Sequence, residues 1–295
     1  MTTDALDQTT PGSVRPDPRA EGVADAVTTV LNVAAVTETG CLRHENQDCV
    51  LVGRWISTLD TTFAEHRQLR AGDTPYVVAV CDGMGGHAGG AIASRLAAAT
   101  LGSRPWAGGD PTETVAQIMA ATSNIQLVSD RIQELRGLGT TVVGVAVQAD
   151  SYTVFSVGDS TAFRSADGYL GVLTEADRRE DPHRPGSTVL TQTLSAYTST
   201  PRPHIEVFPI VRPIRLLLCS DGLTDPLDLD QIRAKLEGTI GEPGSAEYAA
   251  ALLVQAAIDE GGPDNISVIV VDIVPSGDRT PSLAVEANSE RRADT

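Results

Sequence analysis

The chain has 295 residues, 41% of them hydrophobic, and a formal net charge of −17. That length suffices for one large domain or two small ones with a substantial core, and an acidic balance without a basic patch argues against a nucleic-acid partner. Cys41, Cys49, Cys81 and Cys219 form no C-x-x-C pair, so neither a zinc site nor a redox motif is expected. No charged leader with an apolar run opens the chain and no apolar run reaches the length of a membrane span, so the expectation is a cytoplasmic protein without a membrane span.

Residues 1–25 are polar, contain Pro11, Pro16 and Pro18, and lack periodicity; they read as a disordered tail, as do residues 275–295. A first strand is expected at 30–36 and a second at 49–52. Residues 53–75 give no clear pattern. Residues 77–81 are apolar throughout, the signature of a strand buried on both faces. Helices are expected at 88–101, with Ile92, Leu96 and Ala99 on one face, and at 112–135, with a stripe of Val115, Ile118, Met119, Thr122, Ile125 and Ile132. Strands follow at 139–147 and 152–157, then a hairpin turning at Asp167-Gly168. Residues 174–205 form a long irregular segment, which inside a domain usually marks a functional loop. Strands at 204–210 and 214–219, helices at 229–236 and 245–259, and a strand at 266–274 complete the pattern, with Tyr248, Leu252 and Ala256 on one face of the last helix. Runs of strands and paired helices without strict alternation indicate an α+β layered domain.

The apolar run at 77–81 ends in Asp82-Gly83-Met84-Gly85-Gly86. A carboxylate at the end of a buried strand is costly unless something compensates it. The pattern recurs where residues 214–219 lead into Ser220-Asp221-Gly222. Asp159 lies beside Gly158 at a strand end, Asp264 precedes the last strand, and Asp48 precedes the second. Each alone is more often a turn or capping residue than a ligand. Together they point to carboxylates converging at one end of a sheet. Hard divalent cations take such oxygen ligands, and two ions could share one carboxylate and activate a water between them. The absence of His/Cys clusters argues against zinc, and the absence of a P-loop lysine against a P-loop nucleotide enzyme.

Seven motifs stand in order: Thr39-Gly40-x-x-Arg43-x-x-Asn46-Gln47-Asp48, Asp82-Gly83-Met84-Gly85-Gly86-His87, Leu138-Gly139-Thr140-Thr141, Val157-Gly158-Asp159-Ser160, Leu173-Thr174, Cys219-Ser220-Asp221-Gly222-Leu223 and Gly262-Pro263-Asp264-Asn265. The set spans residues 30–274 and resembles the metal-dependent Ser/Thr protein phosphatases, the protein phosphatase 2C-like family, in its bacterial form. The resemblance implies a catalytic domain at 26–274 built as a four-layer α-β-β-α sandwich, two stacked, mainly antiparallel sheets flanked by helix pairs. It implies that Asp82 bridges two Mn²⁺ or Mg²⁺ ions, that the Gly83 carbonyl binds one, and that Asp221 and Asp264 bind the other. Asp48 would hold metal-bound water, and Arg43 would grip the substrate phosphate, a task for which a bidentate guanidinium is suited. The implied reaction is hydrolysis of phosphoserine or phosphothreonine in phosphorylated proteins, opposing a cognate Ser/Thr kinase. A non-catalytic phosphoprotein-binding module on the same fold and a two-metal hydrolase of small phosphate esters stand as alternatives.

The chain departs from the family pattern in places. Gln47 stands where many members carry glutamate, which removes a negative charge beside the ions. Met84 stands where many eukaryotic members have a histidine proposed as general acid. His87 and His44 read as loop and surface residues. A third ion would need Asp221 with an acidic residue before Gly139-Thr140-Thr141, and Glu134 is the nearest; Asp159 reads as support near the site. The flap after Leu173-Thr174 carries Asp177-Arg178-Arg179-Glu180-Asp181-Pro182-His183 and a shortened insert.

Overall fold

The structure is a computed structural model that describes residues 28–276 apart from 85–87, 105, 108–109, 185 and 197–199. The expected tails lie outside the described residues, except that the last strand runs on to Pro275 and Ser276 donates its N–H to the Thr28 carbonyl at 2.9 Å.

In chain order the strands β1 (Thr28–Glu38), β2 (Cys49–Val52), β3 (Trp55–Ile56), β4 (Thr61–Arg70), β5 (Tyr76–Cys81) and β6 (Gly83–Met84) precede helices α1 (Ala88–Ser103) and α2 (Pro111–Arg131). Next come β7 (Gly139–Thr140), β8 (Val142–Val147), β9 (Ser151–Val157), β10 (Thr161–Ala166), β11 (Tyr169–Val172), β12 (Arg178–Glu180), β13 (Thr188–Leu190), β14 (Leu194–Ser195), β15 (His204–Pro209) and β16 (Ile214–Cys219). Helices α3 (Asp221–Thr224), α4 (Leu229–Leu236) and α5 (Ser245–Asp259) and strand β17 (Ile266–Pro275) close the domain. Two six-stranded sheets result, ordered β11-β10-β16-β17-β1-β4 and β15-β9-β8-β5-β2-β3, with antiparallel pairing throughout.

The all-apolar strands have two buried faces because each sheet is covered twice. Val78 and Val80 of β5 meet Leu31 and Val33 of β1, Leu216 and Leu218 of β16, and Ile269 and Val271 of β17 in a core between the sheets. The alternate residues Val77, Ala79 and Cys81 pack outward under Ala93 and Ala97 of α1 and Ile118 and Ile125 of α2. On the far side, Leu217, Cys219, Val268 and Val270 pack under Ile232 of α4 and Leu253 and Val254 of α5. The four-layer sandwich expected from the motifs is thus the observed architecture. Two helix faces differ from expectation. On α5, Tyr248 is exposed while Ala249, Ala250, Leu253 and Ala257 face the sheet. On α2, Val115 is exposed, Ile132 lies beyond the helix, and Thr114, Gln117 and Ser129 are buried instead. Pro111 opens α2, and the Asp110 side chain accepts from the N–H groups of Thr112 and Glu113, a strong N-terminal cap.

Candidate active site

Antiparallel register explains how aspartates scattered over more than 200 residues come to one place. Cys81 at the end of β5 pairs with Cys49 at the start of β2, so Asp82 and Asp48 are neighbours across two strands. In the other sheet Cys219 at the end of β16 pairs with Thr161 on one side and Val268 on the other. Asp159 and Asp221 therefore flank one strand end, and Asp264 precedes the start of β17 at that same end. A cleft of about 680 Å³ opens there, lined by Arg43, Gln47, Asp82, Gly83, Asp159, Asp221 and Asp264, and also by Met84, Thr141, Arg178, Asp225 and Asn265. Asp48 lies beneath it, buried, with Oδ2 accepting from the Ser220 hydroxyl at 2.8 Å. Glu134 is elsewhere: it is exposed on the short helical turn at Gln133–Leu135 and does not reach the cleft. His44 is an exposed loop residue, and His87 lies outside the described residues.

The loop after β1 is tied down at several points. Asn265 donates to the carbonyls of Thr39 and Glu45 at 2.9 and 3.0 Å and accepts the Gln47 N–H at 2.8 Å. Asn46 donates to Thr37 and Asp60, both at 2.9 Å, and accepts the Asp48 N–H. These bonds hold Arg43 over the cleft, where its guanidinium meets Asp264 at 2.5 Å. The Asp82 turn is fixed by Thr140 and Thr141: the Thr140 hydroxyl and the Thr141 N–H both donate to the Asp82 carbonyl, and the Thr141 hydroxyl accepts the Asp82 N–H at 3.2 Å.

Sequence reasoning missed Asp225 and the anchor of the flap. Asp225 follows the one-turn helix α3 and sits 3.8 Å from Arg178 across the cleft. Its only sequence signal was its position four residues after Asp221, one helical turn on. Asp177 is nearly buried and accepts from the Gly158 N–H, the Gln192 amide and the His204 ring, which ties Gln192 and His204 to the strand end that carries Asp159.

The carboxylates strain one another. Burial first, then the charges of Asp48, Asp221, Asp264 and Asp159, hold the Asp82 pKa well above the ordinary value. Burial and the charges of Asp159, Asp225, Asp264 and Asp48 push Asp221 up to about 7. Burial lifts Asp48 to about 6, although Ser267 and Ser220 hydroxyls oppose it. Burial also raises Asp159. A cation placed among these carboxylates would relieve both the desolvation and the mutual repulsion. Among the described residues the buried Asp48 Oδ1 atom has no hydrogen-bond partner, an acceptor in want of a donor. Among the described residues no group of three acidic, His or Cys side chains is drawn together closely enough to enclose an ion. Carboxylates spread round a wider cleft suit ions that keep part of their water, as Mg²⁺ and Mn²⁺ do, and the donor set fits them.

A two-sheet sandwich with helices on both sides and an acidic cleft at its strand ends is the architecture of the metal-dependent phosphatase class. The protein phosphatase 2C family profile matches residues 62–255, well over half of the chain, and the chain belongs to that family. It is similar to the serine/threonine protein phosphatase PstP of Mycobacterium tuberculosis, 30% identical over 278 residues, a match covering 88% of this chain and 48% of that protein. The chain thus spans about half the length of that curated relative. The serine/threonine phosphatase stp of Listeria monocytogenes is 27% identical over 261 residues, 80% of this chain and 93% of that protein. Among solved structures, the catalytic domain of PstP in complex with two manganese ions superposes with a TM-score of 0.67 at 28% identity, over 83% of this chain and 99% of that one.

Proposed function

We propose that the chain is a Mn²⁺- or Mg²⁺-dependent phosphoprotein phosphatase acting on phosphoserine and phosphothreonine. The observation that carries this reading is the convergence of Arg43 with Asp82, Asp221 and Asp264 in one open cleft above buried Asp48, whose Oδ1 has no hydrogen-bond partner among the described residues. Asp82, the Gly83 carbonyl, Asp221 and Asp264 would hold two ions, with Asp159 beside them. When bound, divalent ions lower the pKa of water and neutralise charge on a transferring phosphoryl group. Asp48, held at Oδ2 by Ser220, would orient a water with Oδ1, which has no partner among the described residues. Arg43 is more than half exposed and offers its guanidinium to the phosphate. Gln47 leaves the surroundings one negative charge poorer than a glutamate would. Met84 has no proton to give, so the leaving oxygen would take its proton from water or another group.

Phosphorylated proteins as substrates, a cognate kinase, a signalling role and a cytoplasmic setting belong to the same proposal. Among the described residues no helix is long and apolar enough to cross a membrane. Hydrolysis of p-nitrophenyl phosphate and of a phosphothreonine peptide with added Mn²⁺ tests it. Both reactions are expected to stop with EDTA and to fall by at least about a hundredfold in Asp82→Asn, since that change removes a charge shared by both ions. Full activity in EDTA or in that variant would overturn the mechanism. Turnover of small esters without the peptide would replace the substrate class.

A further inference from the structure

A second cavity, of about 530 Å³, opens at the opposite end of the β2–β5 pair. Its lining includes Arg54, Trp55, Arg67, Tyr76, Arg104 and Trp106, with Glu65, Asp73, Leu69 and Leu101 filling in the walls. Strand β5 runs from Tyr76 at this cavity to Cys81 at the acidic cleft. Six residues of extended chain therefore separate the two sites by about 20 Å. The volume lies in the range of small-molecule sites.

The chemistry here is the reverse of that in the cleft. Both acids are engaged: Glu65 accepts the Tyr76 hydroxyl at 2.6 Å and lies 3.8 Å from Arg67, and Asp73 accepts the Arg70 N–H at 2.8 Å. Burial and that bond to Glu65 keep the Tyr76 hydroxyl protonated. Among the described residues no carboxylate pairs with Arg54 or Arg104; Arg104 spends only its Nε, on the Gln117 amide oxygen at 3.0 Å. This end of the sheet therefore presents two guanidiniums without a carboxylate partner among the described residues. Beside them stand two indoles and a phenol. Arg67 already lies 5.8 Å from the Tyr76 ring centre, and Trp55 is held flat against Phe63 at 4.3 Å.

We propose that this cavity is a ligand site, separate from the acidic cleft, for a small planar organic anion. An aromatic ring would lie against the Trp55 and Tyr76 side, and its carboxylate or phosphate would meet Arg54 and Arg104. Guanidinium groups bind either anion, and aromatic faces hold either kind of ring.

The protein offers its own reporter, because it contains two tryptophans and both line this cavity. Tryptophan emission is followed while the full chain is titrated with adenosine monophosphate in one arm and benzoate in the other, which separates the phosphate from the carboxylate source. At least one is expected to give a saturable change. Adenosine and benzamide, rings without charge, and inorganic phosphate and acetate, charges without rings, are expected to bind at least about tenfold more weakly. Arg54→Ala, in an exposed turn, and Arg104→Ala should each weaken binding by about fivefold or more. Asp82→Asn should leave the affinity unchanged, which sets this site apart from the cleft. No emission change with either anion up to about 10 mM would overturn the proposal. So would equal binding of the uncharged rings, undiminished affinity in both arginine variants, or loss of binding in Asp82→Asn.

Discussion

A methyl group at Gly83 would stand 2.3 Å from the Gly90 carbonyl oxygen and 2.5 Å from that of Gln47. Both neighbours are backbone atoms and cannot swing aside. The second Asp-Gly pair repeats the situation: a methyl group at Gly222 would meet the Asn265 carbonyl oxygen at 1.9 Å. The glycine after each aspartate is therefore demanded by a crossing chain segment, whatever its own carbonyl goes on to bind. Gly83→Ala is expected to cost about 1–3 kcal/mol in denaturant unfolding, the usual range for overpacking. Hydrolysis of p-nitrophenyl phosphate should fall further than stability suggests, by about a hundredfold, because the displaced backbone carries Asp82 and lies against the carbonyl of Gln47, next to Asp48. Wild-type stability and turnover would show that the Gln47 and Gly90 backbones yield freely. The family resemblance gave the Gly83 carbonyl to an ion and gave Gly222 no task. The crossing with residues 47, 90 and 265 is tertiary and leaves no local mark.

At the scale of elements, the legible parts were those whose surroundings are uniform. Strands β2, β5 and β16 are buried on both faces, and α4 has a capping box formed by Asp228 and Gln231, so their composition announces them. Strand β4 was not legible. It pairs with β1 over ten residues, yet Leu69 is its one buried side chain, because it forms a sheet edge held by backbone bonds. Helix α5 was legible as a helix but not as a face: alanines on both sides give no contrast, and the largest side chain, Tyr248, points away from the core. The apolar run of β16 also hides one exception, Arg215. It is fully buried opposite Asp272 of β17, with Nε to Oδ1 at 2.6 Å and Nη2 to Oδ2 at 2.8 Å. Two further N–H groups reach the Leu236 carbonyl and the Ser245 hydroxyl, and Asp272 also accepts the Gly241 N–H. The pair thus binds the α4–α5 connection to the sheet. Arg215→Met should destabilise the fold by about 3–5 kcal/mol, since it strands a buried carboxylate. Arg215→Met with Asp272→Leu should recover much of that loss in the same denaturant titration. A double variant as unstable as the single one would mean that the backbone anchoring, and not the stranded charge, carries the energy.

At the scale of the whole molecule, the fold gathers like charges from both sheets at one end of an already acidic chain, and this ties stability to pH and to divalent ions. Without ions, Asp48 titrates at about 6 and Asp221 at about 7, with Asp82 higher than its ordinary value. In the unfolded chain each aspartate titrates near about 4. Between those limits the folded form holds more protons than the unfolded one, so this contribution is complete below about pH 4 and is lost as pH rises through about 7. EDTA-treated protein should therefore melt at progressively lower temperature from about pH 5 to about pH 7.5. Mn²⁺ should reverse the trend, because it binds the ionised carboxylates of the folded state and scarcely the unfolded chain. Its effect on Tm should grow with concentration and be larger at the higher pH. Asp221→Asn removes one of the raised carboxylates and should flatten the pH slope of the ion-free protein while shrinking the Mn²⁺ shift. Calorimetry at two pH values, with and without Mn²⁺, reads all of these quantities. A Tm independent of pH across that interval, with an equal Mn²⁺ shift at both ends, would mean that the cleft carboxylates do not share the burden of bringing the two sheets together.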